Sequence, residues 1–143
     1  MRLSRYTDYA MRVLLYLANQ PDDRLSSIAT IARGYGISRN HLMKVVNDLV
    51  RAGYVESVRG RLGGIRLARD PATIRVGEVV RHTEDDFELV DCEGCVIAPA
   101  CGLTGALHQA TAAFLAVLDG YSLADLQSGR GDLNAWFAVP AAA

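Results

Sequence analysis

Apolar positions in the first fifty residues fall at helical spacing. Ala10, Val13, Leu14 and Leu17 recur at i, i+3, i+4 and i+7, which predicts an amphipathic helix from Asp8 to Gln20 capped by Ser4 or Thr7. Ile28, Ile31 and Ala32 mark the inner face of a short second helix, about Ser27 to Arg33, which Gly34-Tyr35-Gly36 should stop. Leu42, Val45, Val46, Leu49 and Val50 form the inner face of a third helix, with Ser38 as its expected cap and Gly53 at its end. The pattern then turns strand-like. Tyr54–Val58 and Ile65–Leu67 predict two short strands joined by the tip Arg59-Gly60-Arg61-Leu62-Gly63-Gly64. Helix, helix, turn, helix, hairpin is the order of a winged helix-turn-helix: a mainly α fold with a small β-hairpin wing.

Another short helix is expected at Val76–Thr83, ahead of an acidic loop that carries every cysteine. Beyond it Leu103, Leu107, Ala110, Phe114, Val117 and Tyr121 are spaced 4, 3, 4, 3, 4, the rhythm of a narrow a/d seam. Such a seam asks for a partner helix, so 103–121 is read as a homodimerisation helix. The alternative is packing on its own domain, where a small winged unit has few places to bury it. Ser122–Leu126 should add a last helical turn, Trp136 and Phe137 should dock back, and Pro140–Ala143 should fray. The expected divisions are a winged helix-turn-helix DNA-binding domain at 1–83, a cysteine loop at 84–102, and a dimerisation helix with its tail at 103–143.

With 143 residues, half of them apolar, the chain can bury one core. No apolar run approaches the ~20 residues of a membrane span, and no charged-then-apolar leader opens the chain. A cytoplasmic protein with no membrane partner is expected. The net charge of −1 conceals an asymmetry: residues 1–70 hold twelve Lys and Arg against six Asp and Glu, and the remainder three against ten. A cationic module ahead of an acidic one points to a polyanion partner for the front half. Enzymatic activity is not expected, because no nucleophile, base and pocket can be assembled from these residues.

The N-terminal end of the second helix of a helix-turn-helix enters the major groove, so Ser38, Arg39, Asn40, His41 and Lys44 are the candidate DNA-contacting residues. Arg39 suits guanine and Asn40 adenine, while Ser38 and Lys44 suit phosphates. His41 is equally readable as a solvent-facing polar residue. Arg59, Arg61 and Arg66 surround the wing glycines, a pattern suited to the minor groove, with a plain solvated turn as the alternative. Arg2, Arg5 and Arg33 would add phosphate contacts.

Three cysteines cannot all pair as disulfides, and they cluster as Cys92, Cys95 and Cys101 in a C-x2-C-x5-C pattern bent by Gly94 and Pro99. Soft thiolates in such a cluster select an iron–sulfur cluster or zinc. Three sulfurs leave a fourth ligand to come from elsewhere. A closed zinc site would want a further Cys or His, and no histidine stands at a short offset; His82 and His108 are read as surface residues. Buried free thiols are a third reading, at odds with the polar Asp91–Gly94 surroundings.

Several stretches together resemble the IscR/NsrR family of bacterial iron–sulfur winged-helix regulators: Arg5-Tyr6-Thr7-Asp8-Tyr9-Ala10, Ser38-Arg39-Asn40-His41-Leu42, Arg51-Ala52-Gly53-Tyr54-Val55, Val58-Arg59-Gly60, Gly63-Gly64-Ile65-Arg66-Leu67 and Ala98-Pro99-Ala100-Cys101. The recognition-helix residues and Tyr121-Ser122-Leu123-Ala124-Asp125-Leu126 are most similar to its nitric-oxide-sensing branch. The resemblance implies a homodimeric repressor of palindromic double-stranded operator DNA, with nitric oxide as signal. It implies a cluster on Cys92, Cys95 and Cys101, 4Fe-4S as first choice and 2Fe-2S as second, and Asp8 of the partner subunit as a fourth ligand. The first cysteine gap is shorter here than in many relatives, and Thr104 stands where the cluster-assembly branch has a histidine. Arg12, one turn beyond Asp8, is placed to pair with it when no cluster is held. A redox or iron-supply sensor is the alternative function.

Overall fold

The computed structural model describes residues 1–21, 24–127 and 133–137. Its elements run α1 (Arg5–Ala18), α2 (Ile28–Tyr35), α3 (Arg39–Arg51), β1 (Val55–Val58), β2 (Gly64–Leu67), α4 (Val76–Thr83), α5 (Leu103–Asp119), α6 (Leu123–Gln127) and α7 (Leu133–Phe137), with single 3₁₀ turns at Pro71–Thr73 and Ala98–Ala100. This is the expected winged helix-turn-helix followed by a long helix.

Helix α1 starts three residues before the expected Asp8 because Ser4 is the cap: its Oγ accepts the Thr7 N–H at 3.1 Å. Thr7 itself is buried, and its hydroxyl donates to Thr83 Oγ1 at 2.8 Å, which in turn donates to the Val79 carbonyl at 2.9 Å. Glu84 accepts the Ser4 N–H at 2.7 Å, so the first turn of α1 is tied to the last turn of α4.

Both helices of the reading motif end in the same way. Gly36 at φ 65° lets its own N–H reach Arg33 O and the Ile37 N–H reach Ala32 O. Gly53 at φ 83° does the same with Val50 O, and the Tyr54 N–H with Leu49 O. Ser38 departs from expectation: it occupies the cap position of α3, but its side chain makes no capping hydrogen bond. The wing strands pair antiparallel, from Val55 opposite Leu67 to Val58 opposite Gly64. An isolated bridge between Ser26 and Ile65 fastens the base of the wing to the chain entering α2.

The core gathers Val13 and Leu14 of α1, Ile31 of α2, Leu42, Val45, Val46 and Leu49 of α3, and Val79 of α4. After α5 the chain returns to it. Val76 N–H donates to Tyr121 O and Leu123 N–H to Ile74 O, at 2.9 and 3.0 Å, and Leu123 is fully buried. Phe137 docks edge-on against Tyr16 and Tyr35, with ring centroids 4.8 and 5.3 Å away. Trp136 does not dock; it is 79% exposed. Pro140–Ala143 lie outside the described residues. Among the described residues no helix is long and apolar enough to cross a membrane.

Two measurements follow from this packing. Leu14→Ala should cost about 3 kcal/mol in chemical denaturation, because Leu14 is fully buried, whereas Leu62→Ala, at a position 90% exposed, should stay within about 0.5 kcal/mol of the parent. Burial of the Glu84 carboxyl opposes its charge, but hydrogen bonds from Thr7 and Ser4 outweigh that and hold its pKa below the ordinary 4.5. A depressed carboxyl contributes stability that is present above its unfolded pKa and lost as pH falls through the folded one. The stability gap between the parent and Glu84→Gln should therefore be widest near neutrality and shrink as denaturation is repeated at values below 4.5.

Candidate nucleic-acid interface and cysteine loop

Burial of one flank of α3 turns the other outward. Ser38, Arg39, Asn40, His41 and Lys44 are all exposed, and no side chain caps the N–H groups of the α3 first turn. Asn47 shares this face, three residues beyond Lys44 and seven beyond Asn40. Sequence reasoning passed over it, although the helical period carried the signal. Arg33 is exposed in the last turn of α2.

Arg59 and Arg61 stand exposed at the wing tip. Arg66 is elsewhere: it sits on β2 directly opposite Glu56 of β1, and its Nε donates to Glu56 Oε2 at 3.0 Å. The wing thus presents two arginines at its tip and a third on its strand.

A polar clamp holds α3 against its neighbours. Asp48 pairs with His82 Nε2 of α4 at 3.0 Å and accepts a hydrogen bond from Tyr6 of α1. Burial, together with that bond, pushes the Tyr6 hydroxyl up to about 12. His82, expected as a plain surface residue, is exposed yet has this structural contact, and its ring lies edge-on to Tyr54 at 6.0 Å.

Cys92, Cys95 and Cys101 are free thiols, Cys95 exposed and the other two half-buried. The backbone that carries them winds in successive i→i+3 turns: Cys95 N–H to Cys92 O, Ala98 N–H to Cys95 O, and Cys101 N–H to Ala98 O, at 3.2, 3.2 and 3.4 Å. Gly94, at φ 74°, takes the first of these turns out of any regular helix, and the 3₁₀ winding is confined to Ala98–Ala100. Three free thiols within ten residues are the soft ligands that a thiolate-held metal group takes. Among the described residues, however, no three His, Cys, Asp or Glu side chains of one chain converge to hold a metal ion. Asp8 is engaged with Arg12 instead, Nε to Oδ1 at 3.0 Å and a terminal nitrogen to Oδ2 at 2.9 Å. Cys92 Sγ lies 3.4 Å from Thr104 Oγ1, and His108 lines the same cleft, about 340 Å³ in volume.

Helix α5 buries none of its residues within one chain. Leu103, Phe114, Val117 and Tyr121 of the expected seam are 56, 37, 61 and 48% exposed.

The Rrf2 family, described as an iron-dependent transcriptional regulator, matches residues 3–129. The chain belongs to this family. It is 53% identical over 138 residues to the HTH-type transcriptional regulator NsrR of Bacillus subtilis (strain 168), covering 93% of this chain and 94% of that one. Among solved structures it resembles a putative transcriptional regulator from Listeria innocua (TM-score 0.77, 29% identity, 92% and 90% covered) and T. potens IscR (TM-score 0.73, 27% identity, 92% and 94% covered). The Rrf2 assignment bears out the resemblance carried by the Arg5–Ala10, Ser38–Leu42 and wing stretches. Family and fold together make this a helix-turn-helix transcription regulator.

Asp48→Ala should loosen α3 from α1 and α4 at once. We expect a loss of about 1–3 kcal/mol in denaturant unfolding, since the His82 and Tyr6 bonds both end on this carboxylate.

Proposed function

We propose that this Rrf2 regulator is a cytoplasmic homodimeric repressor whose hold on operator DNA answers to nitric oxide through a 4Fe-4S cluster on Cys92, Cys95 and Cys101, with Asp8 of the partner subunit as fourth ligand. The observation that carries this is the position of the three free, turn-wound thiols between a DNA-reading domain and a helix with no buried residue.

When bound, the cluster supplies iron that reacts with nitric oxide. The chain's own residues do the rest. The α5 seams of two subunits bury one another and set two α3 helices on half-sites about 34 Å apart. Arg39 and Asn40 read base edges, with His41 beside them; Ser38, Lys44 and Arg33 hold phosphates; Arg59, Arg61 and Arg66 serve the minor groove. With divisions at 83 and 102, the cysteine loop is the connector between reading domain and dimer helix in this reading. Arg12 now holds both Asp8 oxygens, so ligation through one of them would compete with half of that two-pronged ion pair on α1. A change of about 3 kcal/mol in operator affinity is roughly a 150-fold change in binding, enough to release repression. The family's description as iron-dependent favours a second reading, iron supply or oxidation as the signal, with a 2Fe-2S cluster.

The test is anaerobic purification followed by absorption and resonance Raman spectra during nitric oxide titration, with binding to a duplex enriched by the protein from a randomised pool measured in the same samples. Loss of a 4Fe-4S signature in step with an affinity drop of about a hundredfold supports the proposal. Colourless protein with stoichiometric zinc, or a cluster that reacts without any change in DNA binding, overturns the sensor mechanism. A 2Fe-2S spectrum answering to iron or oxidant establishes the second reading.

A further inference from the structure

The tip of the wing carries an apolar side chain among its arginines. Leu62 is 90% exposed, and Arg59, Gly60 and Arg61 beside it are exposed as well. The Gly63 N–H donates to the Gly60 carbonyl at 3.0 Å, closing a four-residue turn with Arg61 and Leu62 as its two central residues. Gly60 has φ 115°, which favours glycine. At Gly63 a Cβ would collide with the Val58 carbonyl oxygen and come within 2.9 Å of that of Gly60. Two glycines thus permit the tight backbone that the Gly60–Gly63 hydrogen bond closes, and Leu62 stands exposed at its apex.

A single exposed leucine is ordinary on a protein surface. This one stands at the apex of a hydrogen-bonded turn, beside a guanidinium suited to the negative potential of a narrow groove. Leucine cannot hydrogen-bond a base edge. What it can do there is press on the sugar walls or enter between two base pairs, as apolar wedges do in the minor groove. We propose that Leu62 is a minor-groove wedge that inserts at one base step beside each half-site and selects for a pyrimidine–purine step, the kind most easily unstacked. Specificity then arises at a position that no polar side chain reads. The inference rests on the wing docking in the minor groove, as proposed above.

The full-length dimer, purified anaerobically, is tested by fluorescence anisotropy on a labelled duplex of about 30 base pairs enriched from a randomised pool, across a salt series. A second duplex replaces the pyrimidine–purine step under the wing with an A-tract step. The parent should prefer the first duplex by about tenfold, and Leu62→Ala should lose that preference, bind the first about tenfold more weakly and keep the parent's salt dependence. Leu62→Met, which keeps an apolar wedge, should restore the preference. Arg61→Ala should instead lower the slope of log affinity against log salt by about 1 on both duplexes. If Leu62→Ala matches the parent on both duplexes while Arg61→Ala shows its salt effect, the wedge is overturned and wing docking stands. If Arg59→Ala and Arg61→Ala also leave affinity and slope unchanged, the wing does not touch DNA and both ideas fall.

Discussion

Helix α3 can have only one rotation about its axis, because Leu42, Val45, Val46 and Leu49 must all leave water together. Each is buried almost completely against α1, α2 and the first residues of the wing. Fully burying side chains of this kind is worth about 1.5–3 kcal/mol apiece, so turning α3 by even a third of a revolution would forfeit most of the stability of a small domain. The outward direction of Arg39, Asn40, Lys44 and Asn47 is a by-product of that burial. The two glycine-terminated helix ends at Gly36 and Gly53 then set where α3 enters and leaves, and Asp48 clamps its last turns to α1 and α4.

The same core holds the start of the cysteine loop and the far end of the helix that follows it. At one end, Thr83 and Glu84 bond to Thr7 and Ser4 at the start of α1. At the other, α5 leads back to the core: Asp119 makes a two-pronged ion pair with Arg81 of α4, its second prong at 2.8 Å, and Tyr121 and Leu123 pair with the backbone of Val76 and Ile74. The Asp119 carboxylate rests so close to Gly77 that a Cβ there would collide with it. The loop therefore leaves a fixed point at Glu84, and α5, which follows it, is fixed at its far end by Asp119.

Local rules carried much of the site. Arg59, Arg61 and the α3 face were legible because exposure on a helix or a hairpin follows from the period of the buried residues around it. Arg66 was not, since its partner Glu56 lies ten residues away and is reached only through strand register. His82 looked like an isolated surface histidine because Asp48 is 34 residues distant in the chain. Ser38 looked like a cap because residue type and position agreed, yet its side chain makes no capping hydrogen bond.

By itself the sequence determined the order and period of the elements, the glycines that end α2 and α3, the charge division between the two halves, and the presence of three thiols without a fourth. These are short-range matters, settled by stereochemistry and by which face of a helix is oily. Tertiary structure alone decided that Ser4 rather than Thr7 caps α1, leaving Thr7 to bond Thr83. It decided that residues 121–127 return to the core and that Phe137 docks while Trp136 does not. Each of these depends on which groups separated in sequence arrive within hydrogen-bonding or packing distance, and that is fixed only when the whole core closes.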